Sequence, residues 1–268
     1  MIEVRHYGNE GPVVVLLHGG PGGPGAMADL ARALSDRYRV LEPLQRLSGQ
    51  TPLTVARHVA DLAEVLDGRR EPVHLVGHSW GAMLALSYAA RHSEAIQQVV
   101  LVGSGTFDER SRNAYREQMT LRTEADNRAR LRELDAVLVA EHDPSRRDAV
   151  FAQKCEISLR VQAYDPIASE FGATPCDERG HRETWEDAMR LQQEGIQPAE
   201  FCKIRAPVLM LHGVADPHPG RLIYESLAPV IPGIRYREFA RCGHVPWLER
   251  HARDEFLAVL RDALAESA

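Results

Sequence analysis

Val13-Val14-Val15-Leu16-Leu17 is an unbroken apolar run, mostly β-branched, held between Gly11-Pro12 and His18-Gly19-Gly20. It is too short for an amphipathic helix, and its composition and glycine borders mark a buried strand. Runs of the same kind recur at Tyr38 to Leu44, Val73 to Gly77, Ile96 to Val102 and Pro207 to Leu211, and a further strand is expected over Ile234 to Phe239. Strands that lack polar alternation are covered on both faces, as in parallel sheets enclosed by helices. The helices are legible between them. Met27 to Leu34 and Val55 to Leu66 place apolar residues at helical spacing, Ala82 to Ala90 is rich in helix formers, and Glu255 to Leu264 is amphipathic. Strand and helix in alternation predict an α/β fold with a doubly wound, mostly parallel sheet.

The alternation stops after Val102-Gly103-Ser104-Gly105 and resumes at Ala206-Pro207-Val208. The residues between are charged and helix-favouring, as in Leu121 to Leu138, and are broken at Asp143-Pro144, Asp165-Pro166 and Thr174-Pro175. No strand run stands among them. The expected organisation is a core of residues 1–105 and 201–268, with residues 106–200 as a helical cap on top of the sheet.

Composition narrows the partners. With 44% hydrophobic and 26% charged residues in 268, the chain has the apolar mass for a sizeable core, which excludes a disordered chain. Thirty-two basic against 38 acidic residues leave a net charge of -6, the wrong sign for a nucleic-acid footprint. No stretch approaches the roughly eighteen continuous apolar residues of a membrane helix, and no membrane association is expected. Met1-Ile2-Glu3-Val4-Arg5-His6 lacks the apolar region of a signal peptide, so the expected location is the cytoplasm. Cys155, Cys176, Cys202 and Cys242 are scattered and form no C-x-x-C pair, which suggests neither a disulfide framework nor a cysteine zinc site.

Gly77-His78-Ser79-Trp80-Gly81 directly follows the strand Val73-His74-Leu75-Val76 and directly precedes the helix Ala82 to Ala90. That is the context of a nucleophile elbow, a sharp strand-to-helix turn that lifts a serine hydroxyl above the sheet. The turn needs tiny flanking residues, which the glycines supply. Ser79 is the expected nucleophile, and the free amides at the start of the following helix point at the place where oxyanion charge develops. His18-Gly19-Gly20-Pro21-Gly22-Gly23, after the first strong strand, can bring a second amide there. Gly20 and Trp80 are the expected oxyanion donors.

A serine hydroxyl needs a base, and the base needs a carboxylate to fix its tautomer. Asp216 follows the strand Pro207 to Leu211 in His212-Gly213-Val214-Ala215-Asp216-Pro217. His244 follows Ile234 to Phe239 in Cys242-Gly243-His244-Val245-Pro246-Trp247. Asp216 is the expected orienting carboxylate and His244 the general base and later acid. Of the twelve histidines, His6, His58, His92, His142, His181 and His251 sit in charged surroundings typical of surface. His18, His78 and His212 adjoin the expected site loops, where structural hydrogen bonds are expected. His212 and His218 flank Asp216 at metal-like spacing, but no H-E-x-x-H or third ligand cluster accompanies them, so no metal and no cofactor is expected.

Carrying Ser79, Asp216 and His244 in this order, the sequence resembles the α/β-hydrolase superfamily over essentially its whole length. The resemblance implies that the segment after Gly105 is the helical cap many members insert between the sixth and seventh core strands. Within the superfamily, His18-Gly19-Gly20-Pro21-Gly22-Gly23 with Gly77-His78-Ser79-Trp80-Gly81 is similar to proline iminopeptidases, which release an N-terminal proline from peptides. Haloalkane dehalogenases and epoxide hydrolases place aspartate where Ser79 stands. The proline iminopeptidases hold the substrate amine with acidic residues in the cap and close after the triad aspartate. Here Pro217 follows Asp216, and Lys154-Cys155-Glu156 echoes the cap motif but continues Ile157-Ser158-Leu159, leaving Glu156 as the substrate-binding candidate. Glu42-Pro43-Leu44-Gln45-Arg46-Leu47-Ser48-Gly49 also differs from the superfamily's common Asp-x-Arg-Gly-x-Gly.

The expected activity is that of a serine hydrolase working through an acyl-enzyme on a small molecule or short peptide, releasing a small N-terminal residue. A carboxylesterase or C–C bond hydrolase is the alternative, and a ligand receptor with little turnover on the same fold is a second. Damage to the triad or the glycine-rich loop would mark the receptor, and none is present. Residues 106–200 hold 20 acidic and 14 basic residues and the rest of the chain 18 of each, so the whole charge of -6 falls in the expected cap. An acidic lid would concentrate substrates bearing a positive amine.

Overall fold

A computed structural model describes residues 2–69, 71–169 and 176–266, so Thr174-Pro175, an expected helix break, lies outside the described residues. Among the described residues there are seven strands, β1 (Val4–Tyr7), β2 (Val13–Leu17), β3 (Arg39–Pro43), β4 (Val73–His78), β5 (Ile96–Val102), β6 (Val208–Gly213) and β7 (Arg235–Phe239). They form one sheet in the order β1-β3-β2-β4-β5-β6-β7. Only β1 runs antiparallel to its neighbour, β3; every other pairing is parallel. Every residue of β2, β4 and β6 is buried, because helices cover both faces.

On one face lie α2 (Val55–Leu66), α3 (Trp80–Ala89) and α8 (Gly220–Leu227), packed on Val15, Leu75, Leu101 and Met210. On the other lie α1 (Ala28–Leu34) and α9 (Arg253–Glu266), packed on Leu16, Val76, Val100 and Leu211. Each such valine or leucine contributes about 1.5–3 kcal/mol by leaving water. α3 has no polar face to show, and all ten of its residues are buried beneath the centre of the sheet's edge-to-edge span. α2 starts at Thr54, whose side chain accepts the Arg57 amide at 3.1 Å.

Among the described residues four helices stand between β5 and β6: α4 (Glu109–Arg122), α5 (Ala125–Ala140), α6 (Pro144–Gln162) and α7 (Glu178–Gln193). The helical run expected over Leu121 to Leu138 is divided at Thr123, whose backbone turns extended and ends α4. Asp143 caps α6 through the Arg146 amide at 2.9 Å, with Pro144 in the first turn where its missing amide costs nothing. α7 is tied to the core by its acids: Glu183 accepts the Leu53 amide and Asp187 the Val55 amide, both at 2.9 Å, which places negative charge at the start of α2. No helix among the described residues is long and apolar enough to cross a membrane.

Candidate active site

The parallel strands deliver their carboxyl ends to one edge, and the expected site residues lie there. At the end of β4 the chain turns through Ser79 at φ 55° and ψ -119°, and Trp80 begins α3. A side-chain-bearing residue in that region costs on the order of 1–3 kcal/mol, so surrounding structure must hold it. The Ser79 amide donates to the Val102 carbonyl at 2.9 Å, anchoring the turn to the end of β5. The glycines are required by space: a Cβ on Gly81 would be driven into the Leu17 carbonyl, and one on Gly77 into the Gly81 carbonyl.

Gly19 brings the glycine-rich loop flush against the serine, since a Cβ there would lie 3.0 Å from Ser79 Cβ. Gly20, next along, sits at φ 116°, a region open to glycine. His18 fixes the loop's entry. Buried, with a pKa lowered to about 4, it is neutral; Nδ1 donates to the Gly19 carbonyl at 2.8 Å and Nε2 accepts the Gln45 amide at 3.1 Å. The Gln45 side chain donates to the His18 carbonyl at 2.9 Å and accepts the Trp80 indole N–H at 2.8 Å. One glutamine thus links the loop carrying Gly20 to the helix start carrying Trp80. Its neighbours in the unusual Glu42 to Gly49 segment are also engaged: Arg46 forms a two-pronged pair with Asp61 at 2.6 and 2.8 Å, and the Ser48 hydroxyl donates to Asp177 at 2.8 Å.

His244 stands in the loop after β7, with its amide donating to the Gln162 carbonyl at the end of α6, 2.9 Å away. Its Nδ1 lies 2.7 Å from Asp216 Oδ2 in the loop after β6. A carboxylate at that nitrogen selects the Nδ1–H tautomer and leaves Nε2 as the acceptor. Burial alone would raise the Asp216 carboxyl, but the imidazoles of His244, His218 and His212 outweigh it and hold it well below the ordinary carboxylate range. His78, the residue before Ser79, donates from Nε2 to the His244 carbonyl at 2.9 Å, and its ring centre lies 4.7 Å from that of His244. Burial pushes His78 down to about 3, so it serves as a neutral donor. Gly103 completes the fit. At φ 52° it passes so close that a Cβ would lie 2.9 Å from the His244 carbonyl and 3.0 Å from its Nδ1.

Ser79, Asp216, His244, Gly20 and Trp80 are therefore gathered at one edge of the sheet. Glu156 is not. It faces outward on α6, exposed, in an ion pair with Arg160 one turn further on, so the expected amine anchor is absent from this position. A glutamate on the far face of a helix cannot be told from an inward one without the packing. Other acids of the inserted helices are also paired, Glu178 with Arg147 at 2.9 Å and Glu183 with Arg179 at 2.7 Å.

Two histidines expected at the surface are drawn inward. His58 is 3% exposed, meets Thr184 Oγ1 at 3.0 Å and sets its ring edge-on to Trp80. His181 on α7 donates from Nδ1 to the Pro21 carbonyl at 2.9 Å, and the Asp177 amide donates to the Gly22 carbonyl at 3.1 Å. The first turn of α7 thereby holds the glycine-rich loop.

The third group that sequence spacing lacked beside His218 and Asp216 is His244, since one ligand-type atom from each lies within 4.8 Å of the others. Both imidazoles already turn Nδ1 to the carboxylate, and their rings stack within 18° of parallel. In-plane lone pairs of parallel rings do not converge on one point, so the trio suits proton handling better than coordination.

Residues 14–259 match the alpha/beta hydrolase family, and the chain belongs to that family. It is a hydrolase. The proline iminopeptidase of Lactobacillus helveticus is 26% identical over 96% of this chain and 90% of its own length. The pimeloyl-[acyl-carrier protein] methyl ester esterase of Nitrosomonas europaea is 26% identical over 92% of this chain and 94% of its own. A shorter match, 32% identical, joins 38% of this chain to 36% of the cis-3-alkyl-4-alkyloxetan-2-one decarboxylase of Shewanella oneidensis. Among solved structures, the proline iminopeptidase of Mycobacterium smegmatis shares the fold with a TM-score of 0.65 at 18% identity, over 98% of this chain and 94% of that one.

Proposed function

We propose that the chain is a serine hydrolase working through an acyl-enzyme, with Ser79, His244 and Asp216 as its triad. Ser79 Oγ attacks a carbonyl carbon while His244 Nε2 takes the hydroxyl proton, and the amides of Gly20 and Trp80 hold the oxyanion. His244 then gives the proton to the leaving group. Water repeats the sequence on the acyl-enzyme and releases the acid. The observation that carries this reading is the 2.7 Å bond from His244 Nδ1 to Asp216, set beside a serine at φ 55°. Residues 106–200 act as a cap, with α7 steadying the glycine-rich loop.

A peptide with a small N-terminal residue is the first substrate class. It is supported by the His18 to Gly23 loop and by the iminopeptidase relatives. The outward position of Glu156 favours a second reading, a neutral carboxylic ester. Chromogenic proline and alanine amides assayed beside short acyl esters separate the two. Amide turnover exceeding ester turnover supports the peptidase, and strong ester turnover with none on the amides overturns it.

A further inference from the structure

The loop that carries Asp216 continues through Pro217-His218-Pro219 and sets a second imidazole on the same carboxylate. His218 offers Asp216 Oδ1 both its Nδ1 and its main-chain amide, each at 2.9 Å, whereas His244 Nδ1 meets Oδ2 at 2.7 Å. The His218 ring lies flat against His244, with centres 4.5 Å apart and planes 18° apart. Tyr115 of α4 lies flat on its other face, 4.1 Å away at 22°. Burial holds His218 down to about 4, which makes it a neutral donor to Asp216.

We infer that His218 is a positioning residue for His244: it holds Asp216 by Oδ1, which keeps Oδ2 turned to the base, and backs the base's ring against water and rotation. The inference rests on His244 being the general base. Donors on Oδ1 draw negative charge away from Oδ2 and weaken its hold on an imidazolium at His244, and the stacked ring keeps water from that imidazolium. Both effects favour the proton-accepting form of His244. The other titratable groups around the base are placed differently. His78 meets the His244 carbonyl, His212 lies 3.2 Å from Asp216 Oδ2, Glu249 accepts the Gly243 amide at 3.0 Å, and Tyr115 stacks on the outer face of His218 while its hydroxyl accepts from Gln162 Nε2 at 3.5 Å.

The test is the rate of covalent labelling by a fluorophosphonate as a function of pH, which needs no knowledge of the substrate. Wild-type protein labels with a rate that falls on the acid side. In His218→Ala that fall moves to higher pH by about one unit, the size expected for losing one hydrogen bond to a charged group. His218→Asn restores a donor and His218→Phe restores a ring, and each recovers part of the shift. Tyr115→Phe, which keeps the outer stack and loses only the contact to Gln162, leaves the fall in place, whereas Tyr115→Leu moves it in the same direction by less, and thermal melts verify that each variant is folded. A His218→Ala profile that falls at the wild-type pH, with a rate lowered equally at every pH, overturns the inference. Wild-type protein as inert as Ser79→Ala overturns the acyl-enzyme reading itself, and the inference with it.

Discussion

His181 on α7 donates from Nδ1 to the main-chain oxygen of Pro21, 2.9 Å away, so a helix inserted between β5 and β6 holds the loop that follows β2. The ring is packed between Phe151 and Trp185 and burial lowers its pKa, so it does this as a neutral donor. The loop bears Gly20, whose amide, in the proposed mechanism, must stay in place for an oxyanion to be met without reorganisation. His181→Leu is expected to lower kcat/KM about tenfold, the value of one hydrogen bond realised at the transition state. The melting temperature should move little. Steady-state kinetics beside calorimetry checks this, and an unchanged kcat/KM would separate α7 from the loop's function.

Gly103 offers a sharper steric test. Its Cα hydrogen is all that fits between the end of β5 and His244, and its φ of 52° disfavours any side chain. Gly103→Ala is expected to displace His244, to abolish most of the activity, and to destabilise the fold by about 1–3 kcal/mol. Denaturant unfolding read with residual activity distinguishes displacement of the base from simple unfolding. Substantial activity in a folded Gly103→Ala protein would mean the loop after β7 moves freely.

The sheet was legible because buried parallel strands carry their signal in themselves: β2, β4, β5 and β6 coincide with continuous apolar runs. β1 was not, because Val4–Tyr7 is an edge strand with half-exposed, charged residues and only one neighbour. α8 is only eight residues long, so its apolar face of Ile223 and Leu227 gives two turns of signal, too few to stand out in the sequence. At the site, Ser79, Asp216 and His244 are each written into a local strand-to-loop context. Gln45 and His181 act on loops and helices far from them in the chain, so no spacing in the sequence could reveal their contacts, whereas the nearness of His218 to Asp216 was visible and only its stacking on His244 was not. Glu156 shows the reverse, a local motif whose helix face is decided only by packing.

Gln45 is expected to matter beyond its size. It accepts the Trp80 indole and donates to the His18 carbonyl, and both partners are buried. Gln45→Leu leaves both unpaired, at a cost of about 1–3 kcal/mol for each group, whereas Gln45→Glu keeps the acceptor for Trp80 but sets a buried carboxylate against the His18 carbonyl. Chemical denaturation should find both variants less stable than wild type, with Gln45→Glu recovering as acid protonates its carboxyl and Gln45→Leu showing no such recovery. A Gln45→Leu protein as stable as wild type would show that the hydrogen bonds of residue 45 contribute nothing.

Acid stability follows from the buried histidines. His18, His58, His74 and His218 are lowered to about 4, and His78 to about 3, because burial penalises their charged forms. Their folded values lie below the unfolded value near 6.5, so the unfolded chain binds more protons in between. Stability is therefore full above about pH 6.5 and falls as the pH drops toward 4, by up to about 1.4 kcal/mol per pH unit for each group. Acid unfolding should begin between pH 6 and 5, above the range where carboxylates protonate. Melting temperature measured against pH checks it, and His74→Leu, whose Nδ1 has no protein partner, should move the decline to lower pH.

The central claim, that Ser79 forms the covalent intermediate, is tested most directly by mass spectrometry of the intact protein after fluorophosphonate treatment, followed by peptide mapping. One adduct per chain is expected, located on the peptide carrying Gly77-His78-Ser79-Trp80-Gly81 and absent in Ser79→Ala. His244→Ala should slow its formation by several orders of magnitude, as removal of a general base from such a triad does. An unmodified wild-type chain, or an adduct that persists in Ser79→Ala, would contradict the account.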